Sequence, residues 1–282
     1  MKKTVSILLA VLLLIGAVAA LAACGSKTDD VTTTAAEAES KDASPASAGV
    51  VFTMGIDPEY PPFSYLGDDG EYTGFDVEVC QAVCQKLGWE FKVFAVNWDE
   101  KLIQLDSNEC DCVWSGMTIL DSMKEAGYVI SEPYFDNEQV LLVKDDSEIN
   151  TSADLAGKTV AVQLGTSGEA LLGDDLADLA ATFGDLVTCD SFVKCFTELA
   201  GNAVEAVFVD KPVAESYVEE NEGFRIIDED LGAEQYGIAF RAGDAELCAQ
   251  VEAAVKELCE DGTYAAIAEK YPTITANLIY LH

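Results

Sequence analysis

The chain has 282 residues, with 51 Asp and Glu against 16 Lys and Arg, and a net charge of −35 at pH 7. No basic block interrupts the acids, so the chain lacks the electrostatic footprint that nucleic acid or anionic lipid requires of a partner. One histidine, His282, and no Cys-x-x-Cys pair point away from a metal centre, and no residue pattern asks for a cofactor.

Lys2 and Lys3 open the chain ahead of the apolar run VSILLAVLLLIGAVAALAA, which ends in L-A-A-Cys24. A basic start, an apolar stretch and small residues before a cysteine describe a secretory leader of the lipoprotein kind over 1–23, with Cys24 as the lipidation site. An uncleaved membrane anchor is the alternative, because the run nearly spans a bilayer. Either reading puts the rest of the chain outside the cytoplasm. Residues 24–49 continue as Ser, Thr, Ala and acids without periodicity, the composition of a flexible tether.

From Val50 the pattern is globular, enough for one large domain or two lobes of about 100–130 residues each. VVFTMGI reads as a strand and is followed by DPEYPPFSY, a stiff loop carrying two acids, two tyrosines and a phenylalanine. GFDVEVCQAVCQKLGW has Phe75, Val79, Val83 and Leu87 at helical spacing. EFKVFAV, then WDEKLIQLDSNE, then CDCVWSG predict strand, helix and strand. A second set repeats the alternation: TVAVQLG, TSGEALLGDDLADLA, LVTCD, SFVKCFTELAGN, VEAVFVD, KPVAESYVEENEG and FRIID. Strands alternating with helices imply parallel sheets covered on both faces. NEQVLLVKDD (138–146) and EQYGIAFRAGD (234–244) break the rhythm and bracket the second set, as two crossings between lobes or as two edge strands of one sheet. The crossing reading gives lobes of 50–142 plus 238–282 and 143–237. The eight cysteines after Cys24 are compatible with disulfides, which secretion permits, or with buried thiols.

In open α/β sheets ligands bind beyond the carboxyl ends of the strands. That rule selects Asp57 and Tyr60 after the first strand, Ser115, Gly116 and Thr118 at the end of the third, Gln163, Thr166 and Ser167 in the second set, and Asp210 after a later strand. Trp98 precedes a helix on the same rim. Singly, each has a structural role open to it as a cap, staple or turn residue. Together they place acids, hydroxyls, helix-start amides and two aromatic rings on two rims, a mixture suited to a small zwitterion.

DPEYPPFSY…GEYTGFDVEV, NWDEKLIQLDSNECDCVWSGMTI, SEPYF, LAGKTVAVQLGTSGE, VFVDKPVA, YGIAFRAGD and DGTYAAIAEKY, in this order from about 50 to 272, resemble the polar-amino-acid solute-binding proteins of ABC transporters. The resemblance implies an α/β fold of two Rossmann-like lobes joined by two hinge strands, of the type II periplasmic-binding-protein kind, closing over its ligand. It implies that Asp57 and Asp210 face an α-ammonium and that Tyr60 and Trp98 sandwich the side chain. Ser115, Gly116 and Thr118 would add hydrogen bonds, and Gln163, Thr166 and Ser167 would serve the α-carboxylate. The family's carboxylate-gripping arginine is missing, its place falling on Met123 or Lys124; Lys124 is expected to take over, as a point charge without the bidentate fork.

These readings describe a monomeric, lipid-anchored capture protein on the outer face of the membrane. It is expected to deliver an amino acid or related small polar solute to a permease. A cyclohexadienyl-dehydratase-like enzyme on the same fold is the first alternative, but no Ser–Lys or Cys–His set and no G-x-S-x-G turn supplies a nucleophile. An extracellular sensor module is the second, requiring a partner to relay the signal beyond His282. The acidic rim and the absent arginine point to a neutral or cationic amino acid over glutamate, with a peptide or another solute left open.

Overall fold

A computed structural model of the chain describes residues 49–282. The leader, Cys24 and all of the tether but its last residue lie outside the described residues. Strand β1 (Val51–Ile56) is followed by a small antiparallel sheet of β2 (Glu59–Tyr60), β3 (Ser64–Leu66) and β4 (Tyr72–Thr73), then by helix α1 (Phe75–Leu87). β5 (Glu90–Ala95), α2 (Lys101–Asp106), β6 (Cys112–Thr118), α3 (Asp121–Glu125) and β7 (Val129–Ile130) come next. The long β8 (Phe135–Lys144) leads to β9 (Thr159–Gln163), α4 (Ser167–Gly173), α5 (Ala177–Ala180) and β10 (Asp185–Cys189). α6 (Phe192–Ala200), β11 (Ala206–Asp210), α7 (Lys211–Glu220) and β12 (Phe224–Ile227) follow, β13 (Ala233–Phe240) returns, and α8 (Ala245–Glu260) and α9 (Thr263–Ala268) come last.

The strands order as β10-β9-β11-β8-β13-β6-β1-β5. β1 lies parallel between β5 and β6, and β9 parallel between β10 and β11. These two parallel sets are the cores of two lobes, as the alternation of strands and helices predicts. The joining strands are antiparallel to them. β8 pairs with β13 over Phe135–Glu138 and with β11 over Gln139–Leu142. β13 pairs with β8 up to Tyr236 and with β6 from Tyr236 onward. Both segments that bracket the second alternating set are therefore central strands of one continuous ten-stranded sheet, lying between the two parallel sets and not at its edges.

The sequence predicts one helix over 166–180, and the chain forms two, broken at Asp174–Leu176. Gly173 and the paired acids Asp174 and Asp175 stand at a helix C-terminus, where the backbone dipole disfavours negative charge and glycine favours termination.

The DPEYPPFSY loop is β2, a turn with a cis Pro61–Pro62 bond, and β3. Phe63 wedges it in place, fully buried with its edge against Phe135 and Tyr236 on the two joining strands. All eight cysteines among the described residues are thiols, seven of them buried, so they pack as small apolar side chains. No helix among the described residues is long and apolar enough to cross a membrane.

Candidate functional site

The carboxyl ends of β1, β6, β9 and β11 converge on one cavity of about 340 Å³, counting its open mouth. The lobe built on β1, β5 and β6 contributes Tyr60, Trp98, Gly116 and Thr118 to its lining; the lobe built on β9, β10 and β11 contributes Thr166, Ser167 and Asp210. Seven of the residues selected from sequence thus meet around a single space.

Asp57, Ser115 and Gln163 stand directly behind that lining. The Asp57 backbone N–H donates to Ser115 Oγ at 3.0 Å, and Ser115 Oγ shares a 2.6 Å hydrogen bond with Ser64 Oγ. Gln163 Nε2 reaches across from β9 and donates to Asp57 Oδ2 at 2.7 Å, a bond between the two lobes. Burial pushes the Asp57 carboxyl above the usual range, while the bond from Gln163 pulls it back. Further bridges close the cleft. Thr118 Oγ1 and Ser167 Oγ share a 3.2 Å contact, and the Tyr60 ring lies 6.1 Å from that of Phe192 on α6.

Tyr60 and Trp98 are near parallel, 10° apart with centroids at 6.5 Å. Tyr60 can lie against β6 only because Gly116 carries no side chain: a Cβ there would stand 2.3 Å from the Tyr60 ring, and φ is +53°. The Gly116 N–H donates to Asp76 Oδ2 at 2.8 Å, and the Tyr134 hydroxyl donates to the same oxygen at 2.7 Å. Asp76, in the first turn of α1, is fully buried, and that burial lifts its carboxyl to about 7 against the pull of the two bonds. Asp76→Ala would leave two buried donors unpaired, and a loss of about 3 kcal/mol is expected in urea unfolding. Asp76→Asn, which retains an acceptor oxygen, is expected to cost about 1 kcal/mol.

Asp210 carries the densest polar shell. Its Oδ1 accepts from Asn137 Nδ2 at 2.7 Å, Gln139 Nε2 at 2.7 Å and the Tyr236 hydroxyl at 3.0 Å. Asn137 and Gln139 also donate to Glu234 Oε1, at 2.7 and 3.1 Å, and Thr118 Oγ1 donates to that atom at 3.1 Å. Complete burial, with the Glu234 carboxylate beside it, pushes the Asp210 carboxyl up to about 8.

Lys124 is not brought to the cavity. It lies exposed on α3, 3.8 Å from Asp121, because the helix turns its neighbour Met123 inward instead. The cation that does line the cavity is Lys101, at the start of α2. Its Nζ lies 4.7 Å over the Trp98 ring and donates to Trp98 O at 3.1 Å and, across the cleft, to Gly165 O at 2.6 Å. Burial lowers its ammonium to about 8, partly offset by Asp99, Asp57 and Glu169.

Lys101 was not selected from sequence, and neither were Asn137, Gln139, Glu234 and Tyr236. The last four had a legible signal: on the joining strands they alternate at period two with their neighbours, so each pair shares one face. Lys101 had none, since W-D-E-K reads as an ordinary solvated helix start.

The model of the bacterial extracellular solute-binding proteins, family 3, matches residues 52–274. The L-cystine-binding protein TcyJ of Escherichia coli (strain K12) is 35% identical over 221 residues, covering 77% of this chain and 81% of TcyJ. A substrate-binding protein of an ABC uptake transporter from Streptococcus pneumoniae, solved with bound histidine, superposes with a TM-score of 0.75 at 27% identity, over 78% of this chain and 92% of that one. An ancestral arginine-binding protein bound to glutamine superposes with a TM-score of 0.72 at 34% identity, over 78% of this chain and 97% of that one.

Proposed function

The chain belongs to family 3 of the bacterial extracellular solute-binding proteins, and from that membership we propose that it captures one amino acid between its two lobes and hands it to an ABC transporter permease. The observation that carries this reading is the meeting of both rims at one cavity, closed by the Gln163–Asp57 bond between lobes. Asp210 receives the α-ammonium, with Asp57 adding negative potential from behind the wall. Tyr60 and Trp98 flank the ligand's side chain. Thr118, Thr166, Ser167 and the backbone at Gly116 serve its carboxylate, and Ser115 and Gln163 hold the wall in shape. The protein works as a monomer whose lobes, 50–142 with 238–282 and 143–237, swing about β8 and β13. Cys24 carries the lipid that keeps it on the outer face of the membrane. No residue of the cavity forms a nucleophile–base pair, which supports capture over catalysis.

Thermal melting and titration calorimetry of the purified protein against L-cystine, L-glutamine, L-glutamate, L-histidine, L-arginine, L-lysine and a polyamine test this. One L-amino acid at least is expected to bind one to one and to raise the melting temperature by mass action. Silence toward every α-amino acid, with a response to the polyamine alone, would overturn the assignment.

A further inference from the structure

The cavity is surrounded by two chemically distinct clusters. Asp210, Gln139, Ser167 and Thr118 form one of them: Gln139 Nε2 contacts both Asp210 Oδ1 and Ser167 Oγ, and Ser167 Oγ lies 3.2 Å from Thr118 Oγ1. An acid and two hydroxyls suit an α-ammonium and an α-carboxylate together. At the other, Lys101 Nζ sits over the Trp98 face and is held by Trp98 O and Gly165 O. The surroundings of that ammonium are those a guest cation would seek: an aromatic face, two carbonyls, and the carboxylates of Asp57, Asp99 and Glu169. The protein's own cation already occupies this place.

Resting on the amino-acid reading above, we propose that Lys101 is a built-in cation that sets specificity at the side-chain end. It rejects guests ending in an ammonium or guanidinium and selects those ending in a carboxylate or amide oxygen. An ammonium has three N–H donors; two are committed to Trp98 O and Gly165 O, which leaves one for an acceptor on the guest. A cationic side chain would meet a like charge in a confined site where screening is weak, and it would have to displace Lys101 from both carbonyls.

Titration calorimetry of the full chain and its Lys101→Met and Lys101→Arg variants, against L-glutamate, L-glutamine, L-arginine and L-lysine, tests this. The unaltered protein is expected to bind the best acceptor-ended amino acid at least about 30-fold tighter than arginine or lysine. Lys101→Met is expected to shift that ratio toward the cationic pair by about 100-fold or more, weakening the first group and strengthening the second. Lys101→Arg keeps the charge and is expected to keep the discrimination, which separates the role of the cation from simple packing. Tight arginine or lysine binding by the unaltered protein would overturn the proposal. So would an unchanged ratio in Lys101→Met, or an equal loss for all four amino acids, which would instead place Lys101 on the α-carboxylate. Binding of no amino acid by the unaltered protein would sink the amino-acid reading itself, and this inference with it.

Discussion

Asp210→Asn is expected to weaken binding of the amino acid by a factor of about 100 to 1,000 while leaving the ligand-free protein at least as stable as before. The loss follows from removing one partner of a buried charge pair, which typically costs about 2–5 kcal/mol. The preserved stability follows from the local chemistry. The asparagine oxygen still accepts from Asn137, Gln139 and the Tyr236 hydroxyl, as Asp210 Oδ1 does. The acid itself carries a burial cost: its folded value of about 8 lies above the 3.8 of an unperturbed aspartate. Between those values the folded state holds a proton that the unfolded state has released, so this group makes stability fall as pH rises through that window. Asparagine removes the term, and chemical unfolding of ligand-free protein at pH 7 checks it.

The same group predicts a proton signature of binding. An ammonium arriving beside Asp210 favours its ionised form, so a proton held at pH 7 is released as the ligand enters. Affinity is therefore expected to rise with pH toward about 8 and then level off, as titrations in buffers of differing ionisation heat would reveal. Asp210→Asn is expected to flatten that slope. A variant that binds as tightly as the original, or keeps its pH slope, would move the ammonium site elsewhere.

Gly165→Ala is expected to cut affinity by about 30-fold or more through closure alone. Gly165, in the turn after β9, has φ of +74° and sits against lobe 1 so closely that a Cβ would lie 2.7 Å from the Asp99 Cα. The neighbour is backbone, which cannot rotate aside. A methyl group there therefore forces the β9 turn away from the Asp99 backbone, and the strain of positive φ adds about 1 kcal/mol. Neither effect reaches the sheet cores, so the protein still folds. Solution scattering with saturating ligand is expected to show the original contracting and the variant remaining extended. Equal contraction and equal affinity would mean that this contact plays no part in trapping the ligand.

The alternation of strands and helices was legible because apolar periodicity reports local burial directly, and the carboxyl-end rule then located the rims. Tyr60, Trp98, Gly116, Thr118, Thr166, Ser167 and Asp210 were found in this way and all reach the cavity. Depth was not legible. Asp57, Ser115 and Gln163 sit one layer behind the lining, because their hydrogen bonds to each other and to Ser64 compete with contact to a guest. The cation was illegible for a different reason. The family resemblance put the expected cation at Lys124, but helix α3 turns it to solvent, and only the three-dimensional path of the cleft brings Lys101 over Trp98. Under the inference drawn above, Lys101 would narrow the expectation that the acidic rim and the absent arginine raised: a neutral amide-ended guest stays compatible with the site and a cationic one does not. The helix break at Asp174–Leu176 has a similar lesson: apolar spacing continued through it, and the acids at the helix end decided the outcome.

A crystal structure of the protein grown with its amino acid tests the central claim most directly. One molecule is expected in the cavity, its ammonium within hydrogen-bonding distance of Asp210, its side chain between Tyr60 and Trp98, and both lobes in contact with it. A ligand held by one lobe alone, or seated away from Asp210, would contradict the account.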